Sequence, residues 1–356
     1  MIHDCFDIRG GGERVALALA EHFRADLCTG YWTALSFERP SRAPRVLMSE
    51  RLQFRGLKTL RLWKAFSGAR DLARGYDLRI YSGIVAPLMA PEADRGVDAL
   101  YCHTPPRFLY DQRERYFRSL PLLMRLPYRL ALDRFEEAYV AAVRKMKVVM
   151  ANSVNVQNRL RRFAGIDSRV VYPPVDTRAF SWGEPRGYYL SCARHSRWKR
   201  VDVIVEAFLK MPQRQLVVVS GGEMEACIKA MAQGAPNIHF KGWVTDEDLA
   251  RYIRHSIATI YIPIDEDFGM TPVESMAAGK PVIGVAEGGV LETVIDGKTG
   301  VLVRPDPGAE EIVAAVLELT EERARAMRPE CEARAQNFSR NRFTAEVDRI
   351  LRDNCG

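Results

Sequence analysis

The feature that most constrains this 356-residue chain is an alternation. Short apolar runs of strand length recur along nearly its whole length, with helical segments between them. In the first half the runs are MIHDCFDI, ADLCTGYW, RVLMS, LRIYSG, ALYCHT and VVMANS, and GERVALALAEHF and VNVQNRLRRFAG read as helices among them. The second half repeats the rhythm with YYLSCAR, QLVVVSG, NIHFKGW, ATIYIP, PVIGV and GVLVRP, and ends on helical segments at 321–336 and 340–354. Strands joined through helices make parallel sheets with helices on both faces. The chain is too long for one typical core, so the pattern predicts an α/β protein of two doubly wound domains, 1–172 and 173–336, followed by 337–356. Pro173 and Pro174, in VVYPPVDTRAF, read as a stiff linker.

Charge separates the two halves. Residues 1–175 hold 29 Lys+Arg against 18 Asp+Glu, a net of +11, whereas 176–356 hold 23 against 27, a net of −4; the sum is the +7 of the whole chain. Two halves so unlike point to different partners. The seven cysteines include no C-x-x-C pair, which argues for a reducing compartment rather than a disulfide framework. The start MIHDCFDI lacks a basic stretch followed by an apolar one, so no secretory signal is expected. No apolar run approaches the ~18 residues that span a bilayer. These readings together predict a cytoplasmic location.

In a doubly wound sheet, ligands bind beyond the strand C-termini, and two facing domains would share one cleft. Candidate chemistry collects at those places. Gly10, Gly11 and Gly12 follow the first strand and open a helix, where a bare backbone suits a phosphate or a plain tight turn. The loop is not a dinucleotide fingerprint, because Val15 holds its third glycine position. Arg194 and Lys199, in a strand-to-helix loop, offer two fixed cations for a diphosphate, or else a solvated basic loop. His103 ends an apolar strand, where it serves either a ligand or, as a structural His, a hydrogen bond; Cys102 beside it points to the opposite face, which argues against a Cys–His nucleophile pair.

The stretch DEDFGMTPVESMAAGKPVIG places Glu266 in a loop and Glu274 eight residues later. Thr271, Pro272 and Glu274 spell a capping box, so Glu274 either caps its helix or reaches a ligand at the helix start. Glu266 has no such local task. Other signals lead nowhere. GKT at 297–299 lacks the P-loop glycine, Glu292 standing in its place. The acidic strings 265–267 and 246–248 could suggest Mg²⁺ or Mn²⁺, but the second opens a helix, where acids are common. No His or Cys cluster has zinc spacing.

Taken in order, the GGGE loop, YCHTP, ANS, VVYPPVD, Arg194 and Lys199, Glu266-x7-Glu274 and GGVLETVIDGKTG resemble the retaining GT-B glycosyltransferases of family 4 over nearly the whole chain. YCHTPPR and RHSRWKRVD are similar to the bacterial mannosyltransferase-like branch of surface polysaccharide assembly. The resemblance implies two Rossmann-like domains, an acceptor-side N-terminal one and a nucleotide-sugar-binding C-terminal one, with the last helix returning to the first. It implies that Arg194 and Lys199 hold the donor diphosphate and that Glu274 meets the ribose. Glu266 would contact the sugar hydroxyls, with Phe268, Gly269 and Met270 offering backbone N–H groups. It implies that Gly11 and Gly12 approach the diphosphate, that His103 lies near the reacting carbon, and that Val244 meets the base through its backbone. No cofactor and no metal are expected. The implied activity is transfer of a hexose, mannose from GDP-mannose favoured, to a glycan or lipid-linked glycan with retention. A nucleotide-sugar epimerase and a non-catalytic nucleotide-sugar-binding protein are the alternatives, and no nucleic-acid partner is expected.

Two basic segments of the first half bear on the acceptor. Arg51, Arg55, Lys58 and Arg61 would form one stripe on a helix, and Arg113, Arg115, Arg118, Arg125 and Arg129 stand among Tyr, Phe and Leu. Either they are solvated helix faces, or they rest on an anionic membrane surface on the cytoplasmic side.

Overall fold

The apolar runs do become strands, and every pairing between them is parallel. A computed structural model of the protein describes residues 1–49, 55–92, 94–118 and 121–355. It divides into two compact units, Met1–Tyr172 with the chain from Thr344 onward, and Pro173–Phe343.

Unit 1 holds β1 (Ile2–His3), β2 (Cys28–Thr29), β3 (Arg45–Val46), β4 (Leu78–Ser82), β5 (Val97–Cys102), β6 (Val148–Ala151) and β7 (Arg169–Val170), in the spatial order β3-β2-β1-β4-β5-β6-β7. Its helices are α1 (Gly11–His22), α2 (Arg55–Gly68), α3 (Arg113–Arg118), α4 (Leu122–Arg144) and α5 (Val154–Ala164). Unit 2 holds β8 (Tyr188–Ser191), β9 (Gln215–Val219), β10 (Ile238–Gly242), β11 (Thr259–Tyr261), β12 (Val282–Val285) and β13 (Gly300–Val303), in the order β10-β9-β8-β11-β12-β13. Around them lie α6 (Val201–Leu209), α7 (Glu225–Met231), α8 (Asp246–His255), α9 (Met270–Ala277), α10 (Val290–Thr293), α11 (Ala309–Glu318), α12 (Glu321–Gln336) and the start of α13 (Arg340–Cys355). Each sheet reverses its order once, between β1 and β4 and between β8 and β11. The crevice at such a reversal is where an open α/β sheet takes a ligand.

Local chemistry explains the elements. Strand β12 is buried throughout, as a central parallel strand must be, and each buried Val or Ile contributes about 1.5–3 kcal/mol. Helix α5 starts where the Ser153 hydroxyl accepts from the Val156 N–H at 3.0 Å, ends at Gly165 with φ 61°, and buries Val156, Leu160 and Ala164 at intervals of four. Helix α8 starts the same way on Thr245, with Asp246, Glu247 and Asp248 in its positively polarised first turn.

Two readings change. MIHDCFDI forms a strand at Ile2–His3 and one further parallel bridge, Phe6 to Trp32, and between them the Asp4 carboxylate accepts the N–H groups of Ile84, Val85 and Ala86 at 2.6–2.8 Å. VVYPPVDTRAF is not linker from its first residue: Val170 belongs to the edge strand β7, and Val175 donates to the Phe338 carbonyl at 2.9 Å. No helix among the described residues is long and apolar enough to cross a membrane.

Candidate active site

At the reversal in unit 2, the loop after β8 carries Arg194 to Lys199 and is tied to the loop after β11 by an Ile264 N–H that donates to the Trp198 carbonyl at 2.7 Å. This seats the Lys199 ammonium 2.8 Å from the Tyr261 hydroxyl and in an ion pair with Glu266. The same hydroxyl donates to Glu266 at 3.0 Å, and the ammonium lies 5.1 Å from the Tyr261 ring centre. Burial, and after it the Glu266 charge, hold the Tyr261 phenol well above its ordinary pKa, so it remains a donor. Lys199 and Glu266, assigned to different parts of one ligand, are thus brought together. Arg194 is not part of the cluster: half-exposed, it is 3.7 Å from Glu223.

The Glu266 loop is tightly clamped. Asp265 has φ 46°, and the Glu266 carbonyl accepts the Gly289 N–H at 2.8 Å. A Cβ at Gly288 would come within 2.6 Å of that carbonyl, and one at Gly289 within 2.4 Å of the Phe268 Cα, so neither position has room for a side chain. Beneath the loop, the buried Arg200 guanidinium donates to the Ile262 carbonyl at 3.3 Å, to Glu287 at 3.0 Å and to Asp306 at 3.1 Å. Sequence reasoning gave no role to Arg200, Tyr261, Glu287 or the Gly288–Gly289 pair, although RHSRWKRVD holds Arg200 and GGVLETVIDGKTG opens on the two glycines.

Glu274 requires a correction. Helix α9 begins at Met270 with Gly269, φ 85°, as its N-cap, so Thr271 lies inside the helix and the capping box does not form. A left-handed glycine turn sets the start two residues earlier than the Thr-Pro pattern implied. Glu274 lies where its charge, second to burial, raises the pKa of Cys192, after β8, and, behind burial, Glu266 and Cys192, that of Tyr261. Phe268 is buried, and Gly269 and Met270 form the turn into α9. Val244 precedes the α8 cap, and its side chain packs on the core around Leu190 and Val219.

His195 is a further residue that sequence reasoning missed. It is buried in the basic loop, and neither ring nitrogen has a hydrogen-bond partner; burial lowers its pKa. Its backbone exchanges hydrogen bonds with Gly221, 2.9 Å, and Met224, 3.0 Å, which anchors the loop that carries Arg194 and Lys199.

At the reversal in unit 1 the chemistry is neutral. His103 follows β5, and its Nε2 is 2.7 Å from the Ser82 hydroxyl, which is itself 2.9 Å from Nδ1 of His3. Burial brings His103 down to about 4 and His3 to about 3, the latter helped by His103, so both rings are uncharged at neutral pH. Gly11 and Gly12 are the first residues of α1, whose N-cap Gly10 supplies no side-chain cap. A Cβ on Gly12 would lie 3.6 Å from the His103 ring, an ordinary contact, so the chain itself leaves room there. Glu13, in the same turn, is raised to about 7 by burial and then by Asp7. Cys102 is buried in the core, away from the face that His103 presents to Ser82. Among the described residues no His, Cys, Asp and Glu group could hold a metal ion.

The basic stripe on α2 also changes. Arg51 and the Arg55 side chain lie outside the described residues, and Lys58 turns inward to Asp7 at 3.3 Å, 5.2 Å from the Tyr31 ring centre. Asp7 also accepts from the Tyr31 hydroxyl at 3.1 Å, so it draws the cation off the surface.

Comparison with known proteins adds three findings. Residues 176–338 match the family model of the glycosyl transferases group 1. The alpha-1,3/1,6-mannosyltransferase ALG2 of Dictyostelium discoideum is 27% identical over 250 residues, 58% of this chain and 58% of that protein, so the chain spans little more than half the length of this relative. Among solved structures, sucrose-phosphate synthase from Thermosynechococcus elongatus superposes with a TM-score of 0.78 at 18% identity, covering 99% of this chain and 98% of the other. HepE from Anabaena, in complex with UDP and glucose, superposes with 0.74 at 18% identity and 98% coverage of both. The fold is therefore GT-B.

Proposed function

We propose, from the premise that this chain belongs to the group 1 glycosyltransferases of family 4, that it moves a hexosyl group from a nucleotide sugar to a hydroxyl acceptor with retention of configuration. The observation that carries the reading is the Lys199–Tyr261–Glu266 cluster, with the Glu274 charge beside it, at the order reversal of unit 2.

Breaking the bond between sugar and diphosphate puts negative charge on the phosphates and positive charge on the ring. Lys199 and Arg194 are the cations for the phosphates, and preorganised charges of this kind lower the barrier most. Without a ligand, Lys199 is neutralised by Glu266. A donor would divide that pair, its diphosphate taking the ammonium and its sugar hydroxyls taking the carboxylate. The Glu266 loop is held too tightly to follow. Glu274 would accept from the ribose hydroxyls, Val244 would meet the base through its backbone, and the turn Phe268–Met270 would offer N–H groups. In unit 1, Gly11 and Gly12 would admit the diphosphate. His103, uncharged at neutral pH, would stand near a carbon that becomes positive without repelling it.

The donor we favour is GDP-mannose, since ALG2 is a mannosyltransferase; UDP-glucose is the second reading, since HepE was solved with UDP and glucose. The acceptor is a glycan or a lipid-linked glycan. A thermal-shift panel of nucleotide sugars tests the donor, because a ligand that binds only the native state raises Tm, by the equivalent of about 2.7 kcal/mol at a hundred times Kd. Product analysis with the donor that responds separates the classes. A new glycosidic bond supports the reading, an altered nucleotide sugar indicates an epimerase, and binding without turnover on any acceptor indicates a non-catalytic protein.

A further inference from the structure

Lys199 and Glu266 hold each other, although each is assigned to a different part of one donor. Both side chains are mostly shielded from water, and a shielded ion pair resists division because each charge loses its partner at short range. Lys199 also carries its ammonium on a flexible four-carbon stem. Once a ligand takes Glu266 away, something else must fix where that charge comes to rest.

Tyr261 meets both partners. Its hydroxyl accepts from the Lys199 ammonium at 2.8 Å and donates to Glu266 at 3.0 Å. One phenol does both at once, since it has a proton to give and lone pairs to receive. Burial, and after it the Glu266 charge, keep the phenol protonated, so the donor role toward Glu266 is fixed. The ring is fixed as well. Tyr261 is buried at the end of β11, in register with Gly284 on β12. A Cβ on Gly269 would lie 3.3 Å from the Tyr261 Cε1 and 3.5 Å from the Glu266 Cγ, so the turn into α9 closes on the ring and on the carboxylate's stem together. Strand and turn thus hold the phenol from two sides.

We infer that Tyr261 is a positioning residue, a fixed post that keeps hold of Lys199 and of Glu266 when the donor divides their pair. With the pair closed, the phenol shares the Glu266 Oε2 that the ammonium also takes, so the ammonium has that oxygen only in part. With the pair open, the ammonium on the diphosphate keeps the phenol oxygen, and the carboxylate on the sugar keeps the phenol proton. A phenylalanine would fill the same space and supply neither. The inference rests on the donor assignment of the transfer reading. It adds a reason why a pair that is closed without ligand opens with one.

The test is a double-variant cycle of Y261F, E266Q and Y261F/E266Q, read by calorimetric titration with GDP, GDP-mannose, UDP and UDP-glucose. A bare nucleoside diphosphate takes the ammonium and returns nothing to Glu266, so the phenol proton matters most there. Y261F should weaken the better-bound nucleoside diphosphate about 10-fold, the scale of one hydrogen bond to a charged group. It should weaken the matching nucleotide sugar less, because a sugar hydroxyl takes the phenol's place on Glu266. In E266Q there is no ion pair to divide, and adding Y261F should weaken the nucleoside diphosphate by less than about 3-fold. A merely structural phenol would give equal losses for both ligands and in both backgrounds. That result overturns the inference, as does a Y261F chain whose Tm shows that it no longer folds, or one that binds all four ligands as the wild type does. If none of the four binds the wild type, the transfer reading itself fails and the inference falls with it, so the two failures are told apart.

Discussion

The two sheets share one strand order up to their sixth strand and reverse it at the same point, yet the side chains at the two reversals have opposite character. In unit 2 the crevice is charged, with Lys199 against Glu266 over a raised Tyr261 phenol. In unit 1 its imidazoles are neutral, a chain of His3, Ser82 and His103 in which burial suppresses both imidazolium forms, and the nearby cation Lys58 is paired with Asp7. The contrast teaches that topology decides where a ligand goes and the loops decide what chemistry meets it.

The strongest way to break the comparison is to remove the charge from unit 2. We expect Lys199→Ala to lower kcat by about 10²–10³ with little change in stability, since one preorganised stabiliser is lost from a partly exposed pair. Arg194→Ala should fall in the same range at saturating donor. Because Arg194 is half-exposed and only loosely held by Glu223, its loss should be the smaller of the two. Normal steady-state turnover in both variants would remove the diphosphate assignment.

The neutral side is sharpened by pH. His3 and His103 titrate near 3 and 4 when folded and near 6.5 when unfolded, so between about 4 and 6.5 the unfolded chain binds more protons. Their contribution to stability is therefore complete above about 6.5 and is lost as pH falls towards 4. Thermal unfolding of the wild type should show Tm declining over that window, and His3→Gln with His103→Gln should flatten the slope. An equal slope in the double variant would mean that the rings are not neutral in the fold. His103→Ala should also lower kcat by about 10–100-fold while nucleoside diphosphate binding stays intact.

The smallest effects separate the two glutamates. Glu274→Gln should leave stability within about 0.5 kcal/mol of wild type, because the Thr271–Glu274 capping box does not form and Gln keeps the shape of the side chain, and should weaken nucleotide binding several-fold, about 1 kcal/mol. Glu266→Gln should weaken binding of the nucleotide sugar but not of the bare nucleoside diphosphate. Calorimetric titration of both ligands against both variants decides this, and identical profiles would erase the division between ribose and sugar.

The α/β alternation was legible because burial in a parallel sheet imposes a pattern that each segment carries by itself. PVIGV became the buried strand β12, and VNVQNRLRRFAG became α5 between its serine cap and its glycine stop. Short-range grammar of that kind survives in any tertiary context. It was also enough to place Lys199 and Glu266 in loops at strand ends, which is a matter of order along the chain.

What only the tertiary structure decided are choices among local options of similar energy. Thr271-Pro272-Val273-Glu274 is a good helix start, but Gly269, whose φ of 85° suits glycine, starts the helix earlier once Gly288 and Gly289 clamp the preceding loop, and Glu274 acquires a different neighbourhood. Lys58 could have stayed in water as Arg61 does, and Asp7, 51 residues away, turned it inward. Arg200 reads as one more cation in a basic run until Ile262, Glu287 and Asp306 converge on it. In each case the deciding partner is distant in sequence. A pattern with a period of two or 3.6 residues says which face is apolar, and only the packed chain says what that face meets.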